Sequence, residues 1–506
     1  MTDKLPYLRR MAKLLRRDLA RQDADAVRRV ASVFPDRTTL THAEALHVVA
    51  RERGAASWPQ LKLSLEIAAM DREARAERLK RALFLGQDHA VRQLIDADPD
   101  LPADNFGLLC ATYDIAGVRR VLADDPSAAT RMVGVRSPML HLAFSQYFKA
   151  RPDLETDMIS VAEALAANGA DVNDSYPAEP GSDHRLTAIY GALGHAGNLA
   201  LAAWLLDRGA DPNDDETLYH ATELGHVEGL RLLMAHGVKT QGTNALLRMI
   251  EFDDIEGTRL LLAYGADPNE HTPFHPSEQP VDSMPALHQA ARSRRDGRYV
   301  PLLLDHGAAG DALWQGHSAY ALARMYGNDS FAEALAARGL KTPLDPVETV
   351  LAACADGETP AGAPLRGLTM SDEARTILTR VILREDGLDH AKRLVAAGID
   401  SNLPDEMGMT PLQEAGWAGL PDHLAWLLGL DPDLDHINGF GGDLIGTIVH
   451  GSENRLDVAR RDHASCARLA LQAGAKLTRG DIEHALNEDV AAVLWDWAED
   501  HPDRVA

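Results

Sequence analysis

The phrase LLDRGADPN at residues 205–213 returns as LLAYGADPN at 261–269 and as LAANGADVN at 165–173. Self-similarity at a period of a few tens of residues means stacked helical units, each too small to bury its apolar face alone. Each part of the phrase has a physical task. The Leu residues fill the seam between neighbouring units. Gly169, Gly209 and Gly265 sit just past a helix end, where a left-handed backbone is needed that a side chain resists. Asp and Asn then hydrogen-bond their own backbone through the turn.

Diverged copies extend the pattern: Gly237, Gly307-Ala308, Gly339, Gly398-Ile399-Asp400-Ser401-Asn402 and Gly474-Ala475 all follow apolar helical stretches. A preceding helix is visible as Thr410-Pro411-Leu412-Gln413-Glu414-Ala415, as Pro285-Ala286-Leu287-His288-Gln289-Ala290-Ala291 and as Pro138-Met139-Leu140-His141-Leu142-Ala143. Pro suits the opening turn of a helix because its missing N–H has no partner there anyway. These motifs resemble ankyrin repeats, and bacterial ankyrin-like proteins in particular. The resemblance implies an all-α fold, an ankyrin-type helical-hairpin solenoid that binds protein along its concave face, with His141 and His288 as structural hydrogen bonders.

The stop glycines also measure insertions. Gly209, Gly237 and Gly265 follow one another at intervals of 28 residues, shorter than the roughly 33 of an ankyrin unit, which predicts the loss of the long finger loop. Gly169 to Gly209 spans 40 residues, Gly265 to Gly307 spans 42 and Gly339 to Gly398 spans 59. The extra residues fall in stretches rich in Pro, Gly, Ser and acidic groups. Residues 173–185 and 269–285 read as enlarged fingers, and 355–367 as part of a linker or degenerate repeat. Residues 90–104 and 117–131 read as second helices that end at Asp-Pro.

The segments expected are therefore a small helical N-terminal domain (1–75), ankyrin-like repeats (80–342), a linker or degenerate repeat (343–370), and a second ankyrin-like segment with a C-terminal cap (371–506). In the first, Thr41-His42-Ala43-Glu44 has the form of a capping box before an apolar helix. The run from Thr41 through Trp58 to Lys62 resembles a small helical domain at the front of many bacterial ankyrin-like proteins. At the other end, residues 478–504 suit a final hairpin with Trp495 and Trp497 and with acidic residues for solvent.

Charge divides at the same place. Residues 1–81 hold 18 Lys and Arg against 11 Asp and Glu, while the whole chain carries −25. So acidic a chain disfavours nucleic acid as main partner, since phosphate contacts need a concentrated basic face. Arg9, Arg10, Lys13, Arg16, Arg17 and Arg21 are the candidates for such a face, against the plainer reading of a solvated helix side docked on the acidic repeats. No apolar run reaches a membrane span and the basic N-terminus lacks an apolar core, so the expected location is cytoplasmic with no membrane partner. Cys110, Cys354 and Cys466, odd in number and far apart, make no disulfide framework.

Motifs for catalysis are missing: there is no Gly-x-Ser-x-Gly, Walker loop, His-Glu-x-x-His or Cys-x-x-Cys. No catalytic residue, cofactor or metal is expected. His271 and His275 flank Thr-Pro-Phe in a Pro-rich stretch and read as a surface loop pair. Residues 436–463 contain Gly439, Gly441 and Gly442 with Asp443, His450, Asp462 and His463 nearby. A phosphate cradle there needs a preceding buried strand that the sequence lacks, so a finger turn followed by a first helix is expected.

The surface offered to a partner is then the side of the first helices together with the finger tips. Counting each first helix from its Thr-Pro-Leu-like start, the fifth and eighth positions are His220 and Glu223, Arg248 and Glu251, Gln289 and Arg292, Glu414 and Trp417. Trp417 is an aromatic anchor of the kind that dominates interfaces, unless it packs on a neighbouring finger. Phe274 and Tyr176 are similar candidates in the enlarged fingers. The resulting expectation is a non-enzymatic scaffold or inhibitor that captures a protein. A sharper form is an immunity- or antitoxin-like neutraliser of a basic effector, and the competing class is a small-molecule- or metal-dependent protein with its site near 436–463.

Overall fold

The computed structural model describes residues 4–272, 283–455 and 461–506. Helices dominate. The strands among the described residues are two short antiparallel ribbons, Ser175–Pro177 with Arg185–Thr187 and Leu313–Trp314 with His317–Ser318. The fold class is all-α, built of successive ankyrin-type helical hairpins, with a small helical segment at the N-terminus. None of the described helices is long and apolar enough to cross a membrane. The chain forms two compact units, one chiefly Ala55–Gln289 with Leu302–Ala308, the other chiefly Pro6–Gly54 with Ala290–Pro301 and Ala309–Ala506.

In the first unit the hairpins pair short first helices with longer second ones, as in Pro138–Ala143 with Glu155–Ala167 and Ala245–Glu251 with Ile255–Tyr264. Polar caps start them: Ser137 accepts from the Leu140 N–H, Asn198 from Leu201 and Asp254 from Gly257. All eight stop glycines read from the sequence hold positive φ, between 76° at Gly339 and 112° at Gly265. At Gly265 the space around a would-be Cβ is open, so it is the backbone conformation alone that calls for glycine.

The turn that follows is closed twice. The Ala210 N–H donates to Leu205 O at 3.0 Å and the Ala266 N–H to Leu261 O at 3.0 Å, so the residue after each glycine satisfies an orphan helix carbonyl. The Asn213 N–H then donates to Asp211 Oδ1 and the Asn269 N–H to Asp267 Oδ1. The Asn side chains do something further. Asn173 Nδ2 donates to Gly209 O at 3.2 Å while its Oδ1 accepts the Asp211 N–H at 2.8 Å, and Asn269 Nδ2 donates to Gly307 O at 2.9 Å. Each Asn thus ties its own turn to the stop glycine of the next repeat.

The insertion at 173–187 folds into the first ribbon, a finger whose register pairs Tyr176 with Leu186. Most of the 269–285 insertion, including Phe274 and His275, lies outside the described residues. In the second unit, residues 356–371 follow the Pro346–Ala355 helix as a loop pinned by Leu365, which is buried and whose N–H donates to Ala397 O at 2.9 Å. The three cysteines are free and buried, as small core fillers are.

The second unit also contains the N-terminal helices. The Lys4–Ala20 helix buries Leu8, Ala12, Leu15 and Leu19, and Thr41 and Glu44 form the expected capping box on the His42–Arg51 helix. Both lie against the Glu488–Asp500 helix. Arg9 is 3.4 Å from Glu488, Lys13 is 3.0 Å from Asp496 and 3.4 Å from Glu499, and the Ala43 N–H donates to Asp489 at 3.1 Å. The acidic side of the last helix, expected to face solvent, is therefore partly covered by the chain's own basic helix. Arg9 and Lys13, two of the six candidates for a nucleic-acid face, are engaged in that pairing, and Arg16 donates to Leu40 O.

The Asn rungs yield a test. Replacing Asn173 by Ala removes two exposed hydrogen bonds, which should cost about 0.5–1.5 kcal/mol in urea unfolding. A change below about 0.5 kcal/mol would mean that the rung holds nothing.

Candidate functional site

Two adjacent turns of the second unit share one device. Asp405 Oδ1 accepts the N–H groups of Met407 (3.0 Å) and Met409 (2.9 Å), and Asn438 Oδ1 accepts those of Phe440 (3.0 Å) and Gly442 (2.9 Å). The fingers built on these turns are cross-linked, with the Gly439 N–H donating to Met407 O at 3.0 Å and His436 Nε2 to Gly408 O at 2.7 Å. Gly408 has φ 71°, and a Cβ on it would stand 2.7 Å from Gly439 N. Behind the fingers run two first helices, Pro411–Trp417 and Leu444–Asn454. Thr410 caps the former in a box with Gln413, whose amide also donates to His436 O and Gly442 O. The helices are drawn together at Gly451, where a Cβ would stand 2.4 Å from Trp417 O.

Fingers and helices enclose a cleft of about 490 Å³, within the range of ligand pockets. Its walls include Arg380, Asp405, Met407, Met409, Glu414, Trp417, Phe440, Thr447 and His450. Phe440 is 63 % exposed at the tip of its finger. Trp417 is half-buried, its ring 5.3 Å from that of His450, and His463 Nε2 fixes the Trp417 carbonyl at 3.0 Å. Glu414 is buried, and burial together with the neighbouring Asp405 pushes its carboxyl up to about 8, although Arg380 pulls the other way. No hydrogen bond or ion pair satisfies its carboxyl among the described residues.

Glu414 and Trp417 are thus brought together by the structure, with the exposure expected of Glu414 corrected: it is buried at the back of the cleft, while Trp417 is half-buried. Asp405, Phe440 and Arg380 complete the cleft, and sequence reading passed them over. The legible signal was the parallel between Asp405-x-x-Gly408 and Asn438-x-x-Gly441, two fingers of the same build. Residues 436–454 form the finger turn and first helix expected of them, with Asp443 as the cap.

In the first unit, His220, Glu223, Arg248 and Glu251 also come together. His220 Nε2 is 3.1 Å from Glu216 and its Nδ1 3.1 Å from Glu223, while Arg248 spans Glu223 and Glu251 at 2.7 Å each. Glu216 is buried and also 2.6 Å from His184. Burial alone would lower the His220 pKa, but the Glu216 and Glu223 carboxylates raise it to about 9. Arg248 also lies over the rings of Tyr219 and Phe252 at 5.4 and 4.6 Å. The ladder holds neighbouring first helices together across the face where a partner was expected.

Three other candidates are buried, contrary to the exposure expected of them. Tyr176 closes an aromatic cluster around Arg136, whose guanidinium donates to its hydroxyl at 2.7 Å and lies 4.7 Å from its ring centre. Arg292 is buried against Glu373 at 3.3 Å, and Glu373 accepts from the Tyr326 hydroxyl as well. Gln289 is buried on the same helix. Phe274 lies outside the described residues. His141 is a structural hydrogen bonder as expected, its Nε2 donating to Val133 O at 2.9 Å, and burial lowers it to about 4. Among the described residues no cluster of three or more His, Cys, Asp and Glu is arranged to hold a metal.

Two titrations check these electrostatics. A carboxyl raised by folding stabilises the folded state fully below its unfolded pKa, near 4.5, and that stability is lost as pH rises through about 8. Glu414→Gln, permanently neutral, should melt within a degree or two of the parent at pH 5 and about 5 °C or more above it at pH 9. An equal difference at both pH values would remove the buried-carboxyl account. For His220, whose stabilisation is present below pH 6.5 and lost through about 9, NMR should show the imidazole still protonated at pH 7.5, with a lower midpoint in Glu223→Gln. A parent midpoint near 6.5 would break the ladder argument.

Comparison with known proteins agrees with the turn geometry. Residues 188–272 match the ankyrin repeats family in three copies. No curated protein matches the chain. Among solved structures, the crystal structure of the human ASB11 ankyrin repeat domain is 21 % identical over 47 % of this chain and 99 % of that one, with a TM-score of 0.35. The section of the first unit that carries the His220–Glu251 ladder is thus made of ankyrin repeats, modules that bind protein partners.

Proposed function

We propose that this chain is a non-enzymatic scaffold or inhibitor that captures a protein, with the cleft between the fingers of the second unit as its main point of contact. The observation that carries this reading is the cleft itself: an exposed aromatic on a braced finger beside a half-buried Trp, over a polar floor. Aromatic anchors in pre-formed pockets dominate protein interfaces, and bracing reduces the ordering that binding must impose. The ankyrin repeats at 188–272 support the same class of function.

The finer form is a neutraliser of a basic effector, of the immunity or antitoxin kind, acting in a bacterial cytoplasm. A net charge of −25 supports a basic partner, because a strong field of one sign steers an opposite charge into contact and makes association sensitive to salt. A second reading is favoured by the cleft volume of about 490 Å³, which also suits a small ligand held near residues 436–450.

Capture from native lysate, at low and physiological salt, separates these readings when run with the parent and with Phe440→Ala. Protein capture predicts one basic protein retained stoichiometrically by the parent, weakened by salt and reduced about tenfold or more by the variant. Equal retention by both proteins would move the contact elsewhere. A small molecule released from the heat-denatured parent, with no protein retained, would favour the second reading.

A further inference from the structure

The two finger turns share their backbone hydrogen bonds but differ in how the leading side chain is satisfied. In the second, Asn438 uses both ends of its amide, Oδ1 for backbone N–H groups and Nδ2 for Thr447 Oγ1 at 3.0 Å and Met409 Sδ at 3.2 Å. In the first, Asp405 uses Oδ1 in the same way, but its Oδ2 has no hydrogen-bond partner although the residue is only 7 % exposed. A buried carboxylate oxygen left unpaired costs free energy that folding does not recover. Asp405 lines the same cleft as Glu414, which is 6 % exposed and equally without a partner for its carboxyl among the described residues. Both carboxyl-bearing residues therefore line one cavity, together with Trp417, Phe440 and two methionines.

We propose that this cleft receives a single arginine side chain of the captured protein, its guanidinium donating to Asp405 and Glu414 while its flat face lies against Trp417 or Phe440. The inference rests on the protein-capture reading and specifies what that surface recognises. Arginine fits better than lysine because a planar fork of N–H donors can serve two carboxyls at once and stack on an aromatic ring, whereas an ammonium is a compact, strongly hydrated point charge. Arg380 is a cation on the same wall, but it is 2.6 Å from Glu406, whose charge offsets it.

The groups that set the charge of the cleft are Arg380, Asp405, Glu406, Glu414, His450 and Arg455. With Glu414 held at about 8, its ionisation at pH 7 costs about tenfold in affinity, and arginine entry should release a proton. Binding is then stronger at pH 8.5 than at 6.5.

The test uses the full chain and three blocked pentapeptides, Ac-Ala-Ala-X-Ala-Ala-NH2 with X as arginine, lysine or citrulline, the last an uncharged isostere of arginine. Binding is followed by Trp fluorescence and by calorimetry in two buffers of different ionisation enthalpy. Arginine should bind at least tenfold more tightly than citrulline and more tightly than lysine, with proton release. Glu414→Gln and Asp405→Asn should each weaken it about tenfold, and Asp405→Asn keeps the Oδ1 that the turn needs. Equal binding of arginine and citrulline, or an undiminished Glu414→Gln, overturns the proposal. If Glu414→Gln still retains the lysate partner that Phe440→Ala loses, protein capture stands and the arginine reading falls; if neither variant affects retention, the capture site itself is misplaced.

Discussion

In the first unit, the hydrogen bonds that one turn makes to the next repeat set the spacing of the hairpins. Asn173 joins its own turn to the Gly209 carbonyl and the Asp211 amide, and Asn269 reaches the Gly307 carbonyl in the same way. Such a rung fixes the spacing of neighbouring hairpins without drawing on the apolar seam. The Leu residues of the second helices can then pack at constant separation, and the fingers emerge at repeated positions. Stability in this arrangement accrues from one neighbour to the next, so a finger can be lengthened or a cavity opened locally without disturbing distant repeats.

The cleft of the second unit shows how that freedom is used. Gly451 draws two first helices to a distance that no side chain would permit, and two cross-linked fingers stand in front of them. Burying the Glu414 carboxyl and Asp405 Oδ2 there without internal partners works against stability, since the interior penalises an uncompensated polar group. By contrast, the acids of the His220 ladder in the first unit are paired: His220 lies between Glu216 and Glu223, and Arg248 between Glu223 and Glu251. A fold that satisfies its acids in one place and leaves them unsatisfied at a cavity in another keeps strain where a ligand can relieve it.

Sequence reading succeeded where the determinants were local. The positive φ of the stop glycines, the Asp-to-Asn turns, the Thr41 capping box and the Pro-led start of the Pro411–Trp417 helix each depend on residues within one turn of each other. It failed where burial is decided by another repeat. Glu414 occupies a position that faces outward on an isolated hairpin and is buried in the assembled repeats, and Tyr176 is drawn into the aromatic cluster around Arg136. The pairing of Arg9 with Glu488, residues near opposite ends of the chain, has no local signal, although the charge contrast between the basic N-terminal helix and the acidic remainder pointed toward it. Phe440 was within reach, since an aromatic between glycines in a polar turn has little to pack against.

Photo-crosslinking tests the central claim, that the cleft is where a protein is held, most directly. A benzophenone amino acid is placed at position 440 and, as control, at the exposed position 264. The account predicts a crosslink from 440 to one basic protein and none from 264. Equal labelling from both positions, or a crosslink from 264 alone, would contradict it.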